Sequence, residues 1–283
     1  MPMLDRRLNA FRPDLADIRL KGQVEAERFV EGDVATVVVP VAGIRPRPDF
    51  RASIDTQFLF GEPITVFDRQ DEWAFVQSDI DGYVGYLPEE DISDEIDEPT
   101  HWVVAPRTFV YPGPDLRFPH AGELSMGSRV SLVGEEETRG TKYALMDGGG
   151  AVIAAHCLPL EQVASDDYVA IAARFLETPY LWGGRSGFGI DCSGLVQLSM
   201  MMAGREAPRD SDMQAARLGT PITREELRRG DLVFWKGHVG IMEDAETLLH
   251  ANGHTMTVAR ENLEAAIKRI GWLYEAPTGY RRP

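Results

Sequence analysis

Between about residues 30 and 95 the apolar positions come in short runs, "VATVVVPV", "PITVFDR", "EWAFVQS" and "GYVGYL", rich in Val and aromatics and separated by turn formers. That spacing predicts short strands. A second series repeats the rhythm: "HWVVAP", "RTFVYPGP", "RVSLVGEE", "TKYALMD", the turn "DGGG" and "AVIAAHCL". Each series is followed by a similar stretch, "LPEEDI" in one and "LPLEQV" in the other. Two related small barrels are expected.

From Ser165 the period lengthens to that of helices. "DDYVAIAARFLETPY" sets Val169, Ala172, Ala173 and Leu176 on one face, with Asp166 or Asp167 as its cap. "CSGLVQLSMMMAGR" predicts a second, buried helix that stops at Gly204. "DLVFWK", "HVGIMED" and "TLLHAN" then read as consecutive antiparallel strands. Helices followed by strands, without alternation, define an α+β domain. The expected boundaries are 1–28 for a short amphipathic segment packed on a barrel, 29–95 and 96–163 for the barrels, and 164–283 for the α+β domain. "EEDISDEIDEPT", with seven acids and no base, reads as a solvated linker between the barrels, because like charges resist burial.

Composition narrows the classes. The chain has 283 residues, 43% of them apolar, enough for several cores. A net charge of −16 is a poor match to phosphate backbones or anionic lipid surfaces, so neither nucleic acid nor a membrane is an expected partner. The start of the chain lacks the continuous apolar segment of a secretory signal, which places the expected site of action in the cytoplasm. The expected state is a monomer.

Two cysteines, Cys157 and Cys192, exclude a disulfide framework. Cys157 sits within an apolar strand and reads as an inert core thiol. Cys192 opens a predicted helix, where unsatisfied N–H groups and the helix dipole favour an anion. With an imidazole nearby, its sulfur is expected to be anionic at neutral pH. An active cysteine needs a base within reach, and the base needs a group to orient it. His238 opens one strand and His250 lies near the end of the next, so antiparallel pairing through the turn at Asp244 to Glu246 sets the two rings side by side. Singly, each residue is ordinary; the order Cys, His, His is the informative feature.

Other patterns point nowhere. His250 and His254 have helical metal-pair spacing, but "ANG" between them is a turn signal, so no metal and no cofactor is expected. "GGRSGFG" lacks the ending of a phosphate loop and reads as a flexible shoulder beside the nucleophile.

The stretch "YLWGGRSGFGIDCSGLVQLSM", continued by "PRDSDMQ", "RRGDLVFW", "HVGIMED" and "LLHANG", resembles the NlpC family of papain-like cysteine peptidases, which cut bacterial cell-wall peptides. The resemblance runs from about Asp166 to the C-terminus. The preceding barrels resemble bacterial SH3-like domains, and two of them before such a domain resemble the family's dipeptidyl-peptidase VI type. The resemblance implies Cys192 as nucleophile, His238 as base and His250 as its orienting partner. It implies a substrate pocket with Tyr180, Asp191 and Ser193, with Tyr83 of the first barrel narrowing it and Glu62 and Ser211 as further contributors. Asp191 is the expected acceptor for a free α-ammonium.

The implied reaction is hydrolysis of the γ-D-Glu to diamino acid bond in free murein peptides with an unblocked N-terminal L-Ala, in wall-peptide recycling. Diaminopimelate and lysine both remain open for the third residue. Cleavage of intact peptidoglycan, acyl transfer to another amine, and a non-catalytic SH3-like peptide-binding protein are the alternatives.

Overall fold

The computed structural model describes residues 4–95 and 98–283. Contacts divide the chain into two units, Met1–Leu160 and Glu161–Pro283. Among the described residues no helix is long and apolar enough to cross a membrane.

The N-terminal unit holds two barrels built on one plan. In the first, a five-stranded sheet runs in the order Val84–Pro88, Trp73–Ser78, Pro63–Gln70, Asp33–Val37, Ile92–Ser93, beside the hairpin of Val41–Ile44 and Thr56–Leu59. The backbones of Arg45 and Tyr86 exchange hydrogen bonds of 2.9 and 2.8 Å across the gap. Alternate side chains, among them Val37, Ile44, Phe58, Ile64, Val76, Tyr83 and Leu87, fill the interior. The second barrel repeats the arrangement: the hairpin is Arg107–Val110 with Gly122–Ser125, and Tyr111 and Ala151 exchange two bonds of 2.8 Å.

Each barrel ends with one turn of 3₁₀ helix and a short strand that pairs antiparallel with the barrel's first strand. In the first barrel Glu89–Asp91 leads into Ile92–Ser93, and Val37 faces Ile92. In the second Ala154–His156 leads into Cys157–Pro159, and Val103 faces Cys157. The repeat expected from the sequence therefore exists in a different register. "LPEEDI" corresponds to "VIAAHC", and "LPLEQV" begins inside the closing strand. The leading part of the acidic stretch is likewise barrel, not linker: Ile92 is buried, and burial beside Glu90 raises the pKa of Asp91. Ile96 and Asp97 of that stretch, and the first three residues of the amphipathic segment, lie outside the described residues. The rest of that segment packs Ala10 and Leu15 against Phe67 and Phe75 of the first barrel.

The C-terminal unit is a six-stranded antiparallel sheet with four helices. The order is Thr220–Ile222, Gly279–Arg282, Leu232–Trp235, His238–Met242, Thr247–Asn252, Thr257–Asn262. The three strands expected from hydropathy form its centre; the outer ones are too short or too polar to stand out. Helix α1 spans Tyr168–Ala173 and α2 spans Cys192–Met202. Helix α3 spans Ser211–Arg217 and α4 spans Leu263–Leu273. Helix α1 is shorter than its apolar pattern suggests. Glu177 takes a positive φ of 66°, and its N–H bonds Val258 O at 3.0 Å, drawing the chain onto the sheet edge ahead of Pro179. Helix α2 is buried on nearly every side and packs against the two histidine-bearing strands.

Candidate active site

Helix α2 starts at Cys192 because Asp191 caps it: the Asp191 side chain accepts the Gly194 N–H at 2.7 Å. The loop before it is held against the cap. Asp191 N–H bonds Gly184 O at 3.0 Å, and Gly183 N–H bonds Asp191 Oδ2 at 3.0 Å. The approach is so close that a Cβ on Gly194 would lie 2.3 Å from Gly184 O, which is why glycine follows "CS". The stretch read as a flexible shoulder is thus a fixed wall. Arg185 and Ser186 pair with Gly189 and Ile190 in it, all of them buried.

The imidazoles reach each other through strand register. Met242 faces Leu248, so His238 and His250 fall on the same side of the sheet, and His238 Nε2 lies 3.0 Å from His250 Nδ1. The rings are 5.2 Å apart at a tilt of 60°. Helix α2 packs against the His238–Met242 strand, and the backbone N–H of Val239, the residue after His238, is near enough to the Cys192 sulfur to favour its anion. With Nε2 turned toward His250, Nδ1 is the other ring nitrogen of His238.

Burial works against the thiolate expected from the helix start. Burial, then the charge of Asp191, pushes the Cys192 thiol from 9.0 up to about 12, against the opposing influence of the Val239 N–H, the Arg209 charge and the Ser193 N–H. That displacement is worth about 4 kcal/mol, whereas a helix terminus contributes about 0.3–2 kcal/mol. Burial wins. Burial also pushes the His238 imidazole down to about 3, with His250 and Arg269 adding to the effect. Both shifts favour a neutral thiol and a neutral ring over the charged pair.

Asp191 has more partners than its sequence suggested. Its Oδ1 accepts from Ser193 Oγ at 3.2 Å and Arg209 Nη1 at 3.0 Å, in addition to Gly194. Its Oδ2 accepts from Gly183 and from Arg209 Nη2 at 2.7 Å. Both ends of this ion pair are buried. The carboxylate is therefore a cap and a counter-ion first, and its lone pairs are largely occupied within the chain. Arg209 also holds Ser193 Oγ at 2.9 Å.

Tyr180 is half-buried at the edge beside Ile190. Burial, and then the charges of Cys192 and Asp191, raise its phenol pKa, so it stays a donor. Ser211 is the first residue of α3, half-buried. Tyr83 and Glu62 belong to the other unit: Tyr83 is part of the first barrel's core, and Glu62 Oε2 accepts Leu59 N–H at 3.0 Å in the turn before Pro63. Cys157 sits in the second barrel's core, where burial pushes its thiol up to about 12. His254 lies in the turn after Asn252, its N–H on Asn252 Oδ1 at 3.0 Å.

Arg209, Glu261 and Arg269 complete the site and were not read from sequence. Arg209 lies in the stretch "PRDSDMQ" without its pairing to Asp191 being visible there, and Glu261 and Arg269 meet their partners across strands and a helix that no single motif contains.

A model described as the NlpC/P60 family matches residues 177–270, which hold the cysteine, both histidines and Glu261. A second, described as the bacterial dipeptidyl-peptidase Sh3 domain, matches 44–92 in the first barrel. The γ-D-glutamyl-L-lysine dipeptidyl-peptidase of Bacillus subtilis is 31% identical over 220 residues, covering 70% of this chain and 72% of its own. The protein of that name from Bacillus cereus is 30% identical over 202 residues, and the match spans 64% of this chain and 60% of its length. The crystal structure of an NlpC/P60 family protein from Bacillus cereus superposes with a TM-score of 0.73 at 24% identity, over 88% of this chain and 99% of that one. It shares the fold.

Proposed function

Because the chain belongs to the NlpC/P60 family of cysteine peptidases, we propose that it hydrolyses the γ-D-Glu to diamino acid bond of free murein peptides whose N-terminal L-Ala is unblocked. The observation that carries the reading is the helix-borne thiol of Cys192 set at the head of a strand whose His238 is oriented by His250.

The neutral resting pair shapes the mechanism. As the Cys192 sulfur bonds the γ-carbonyl carbon, its proton passes to Nδ1 of His238, so charge appears only as the tetrahedral intermediate forms. The orphan backbone N–H of Cys192 at the helix start and the phenol of Tyr180 are the proposed donors to the oxyanion. The His238 imidazolium then protonates the leaving amine, and the C–N bond breaks. Neutral again, His238 takes a proton from water, whose oxygen attacks the thioester. Collapse expels the sulfur, which recovers its proton from the ring, and the dipeptide leaves.

The relatives' names support a γ-D-glutamyl bond and name lysine; the role in recycling and the cytoplasmic setting are part of the proposal. The test is turnover of L-Ala-γ-D-Glu-diaminopimelate and of its lysine counterpart by wild type and Cys192→Ala, with an N-acetylated peptide and purified sacculi in parallel. Cleavage of free, unacetylated peptide by wild type alone is expected. Undiminished cleavage of the acetylated peptide would remove the free N-terminus from the reading, and equal rates for Cys192→Ala would remove the nucleophile.

A further inference from the structure

The pair His238–His250 does not end at His250. His250 Nε2 lies 3.3 Å from Glu261 Oε2, at ion-pair distance without the alignment of a finished hydrogen bond. Strand register puts it there: His250 faces Ala259 and Leu248 faces Glu261, so Glu261 sits diagonally beside His250 on the same side of the sheet. Ala259, opposite the ring, leaves it room. Glu261 is fixed in turn from α4, where Arg269 donates Nε–H to Oε1 at 3.0 Å and Nη2–H to Oε2 at 2.5 Å.

We propose that Glu261, held by Arg269, is a positioning residue that sets the direction of the protons along the two histidines, so that Nδ1 of His238 presents a lone pair to the Cys192 thiol. A neutral imidazole has one N–H and one lone pair, and two in series can be arranged in two senses. A carboxylate only accepts, and the guanidinium keeps it ionised. It therefore selects the tautomer with N–H on His250 Nε2. His250 Nδ1 must then accept from His238 Nε2–H, and the His238 lone pair falls on Nδ1. In the opposite sense a proton on Nδ1 would face the thiol, and the ring would be no base.

Arg269 also separates this role from simple charge stabilisation. The Glu261–Arg269 pair is formally neutral, so what it offers His250 is chiefly an acceptor in a defined place. Glutamine is the informative replacement, because its amide can turn NH₂ toward His250 and favour the reverse sense.

The proposal rests on the peptidase reading, and its test is read without turnover. In ¹⁵N-histidine-labelled wild type at neutral pH, the shifts should show N–H on Nε2 and a bare Nδ1 for both His238 and His250. Glu261→Gln should populate the reverse tautomer. Its kcat should fall roughly 10- to 100-fold, a part of what general acid–base catalysis contributes, with KM unchanged. A wild type with its His250 proton on Nδ1 overturns the proposal even if no variant folds, and so does a folded Glu261→Gln with wild-type tautomers and kcat. Absence of hydrolysis by wild type overturns the peptidase reading instead.

Discussion

Arg209 closes on Asp191, the residue immediately before Cys192, through two hydrogen bonds, Nη2 to Oδ2 at 2.7 Å and Nη1 to Oδ1 at 3.0 Å. Both groups are out of water, so neither tolerates loss of the other. Arg209→Met should cost about 3–5 kcal/mol, the penalty of a stranded buried carboxylate. Urea unfolding of the variant against wild type measures it, and a cost under about 1 kcal/mol would show that the carboxylate finds other compensation.

Gly194→Ala tests the wall beside Cys192. The new Cβ would meet a backbone oxygen at 2.3 Å, which cannot swing aside as a side chain can. The 183–184 loop or the helix start must shift. A loss of about 1–3 kcal/mol is expected, with a larger loss of activity than of stability. Parallel denaturation curves and peptide turnover separate the two.

Stability should also fall early on acidification. His238 is held down to about 3 from 6.5, by burial first and then by His250 and Arg269. The unfolded chain binds that proton near 6.5 while the folded one resists it. Its contribution is therefore complete above 6.5 and declines as pH drops toward 3. Burial raises Glu261, but His250 and Arg269 outweigh it and hold it at about 2 against 4.5, so its share is lost lower, as pH falls through 2. Urea midpoints between pH 7 and 5 read the histidine rather than Glu261, whose share is lost lower. His238→Asn should flatten that part of the curve, and an unchanged slope would contradict the buried neutral ring.

Tyr180→Phe removes a phenol kept protonated beside Cys192. Loss of one oxyanion donor typically costs roughly 100-fold in kcat. Steady-state kinetics should show that fall with little change in KM; an unaltered kcat would withdraw Tyr180 from the oxyanion.

The parts of this site legible beforehand are those whose cause is local. A cap before an apolar helix marks Cys192, and alternation with a turn of known length puts His238 and His250 on neighbouring strands. The burial that opposes the sulfur's charge is not legible, since the helix end is visible in sequence and the degree of burial is not. The pairing of Arg209, and Glu261 altogether, were hidden for a related reason. Their partners, Asp191 and Arg269 with His250, depend on a loop crossing and a strand register that no short window encodes. The barrel repeat was visible as a rhythm, but its register follows the 3₁₀ turn at Ala154–His156, which shares no residue with its counterpart at Glu89–Asp91.

His238, His250 and Glu261 occupy three successive strands, so their meeting depends on counting in twos. Removing one residue inside the Thr247–Asn252 or Thr257–Asn262 strand would turn the groups beyond it to the opposite side of the sheet. Added length at the Asp244–Glu246 hairpin would leave that parity untouched. Insertions and deletions should thus be tolerated in this segment only at its bends, and a homologue with an odd-length change inside a strand should have lost its catalytic frame altogether.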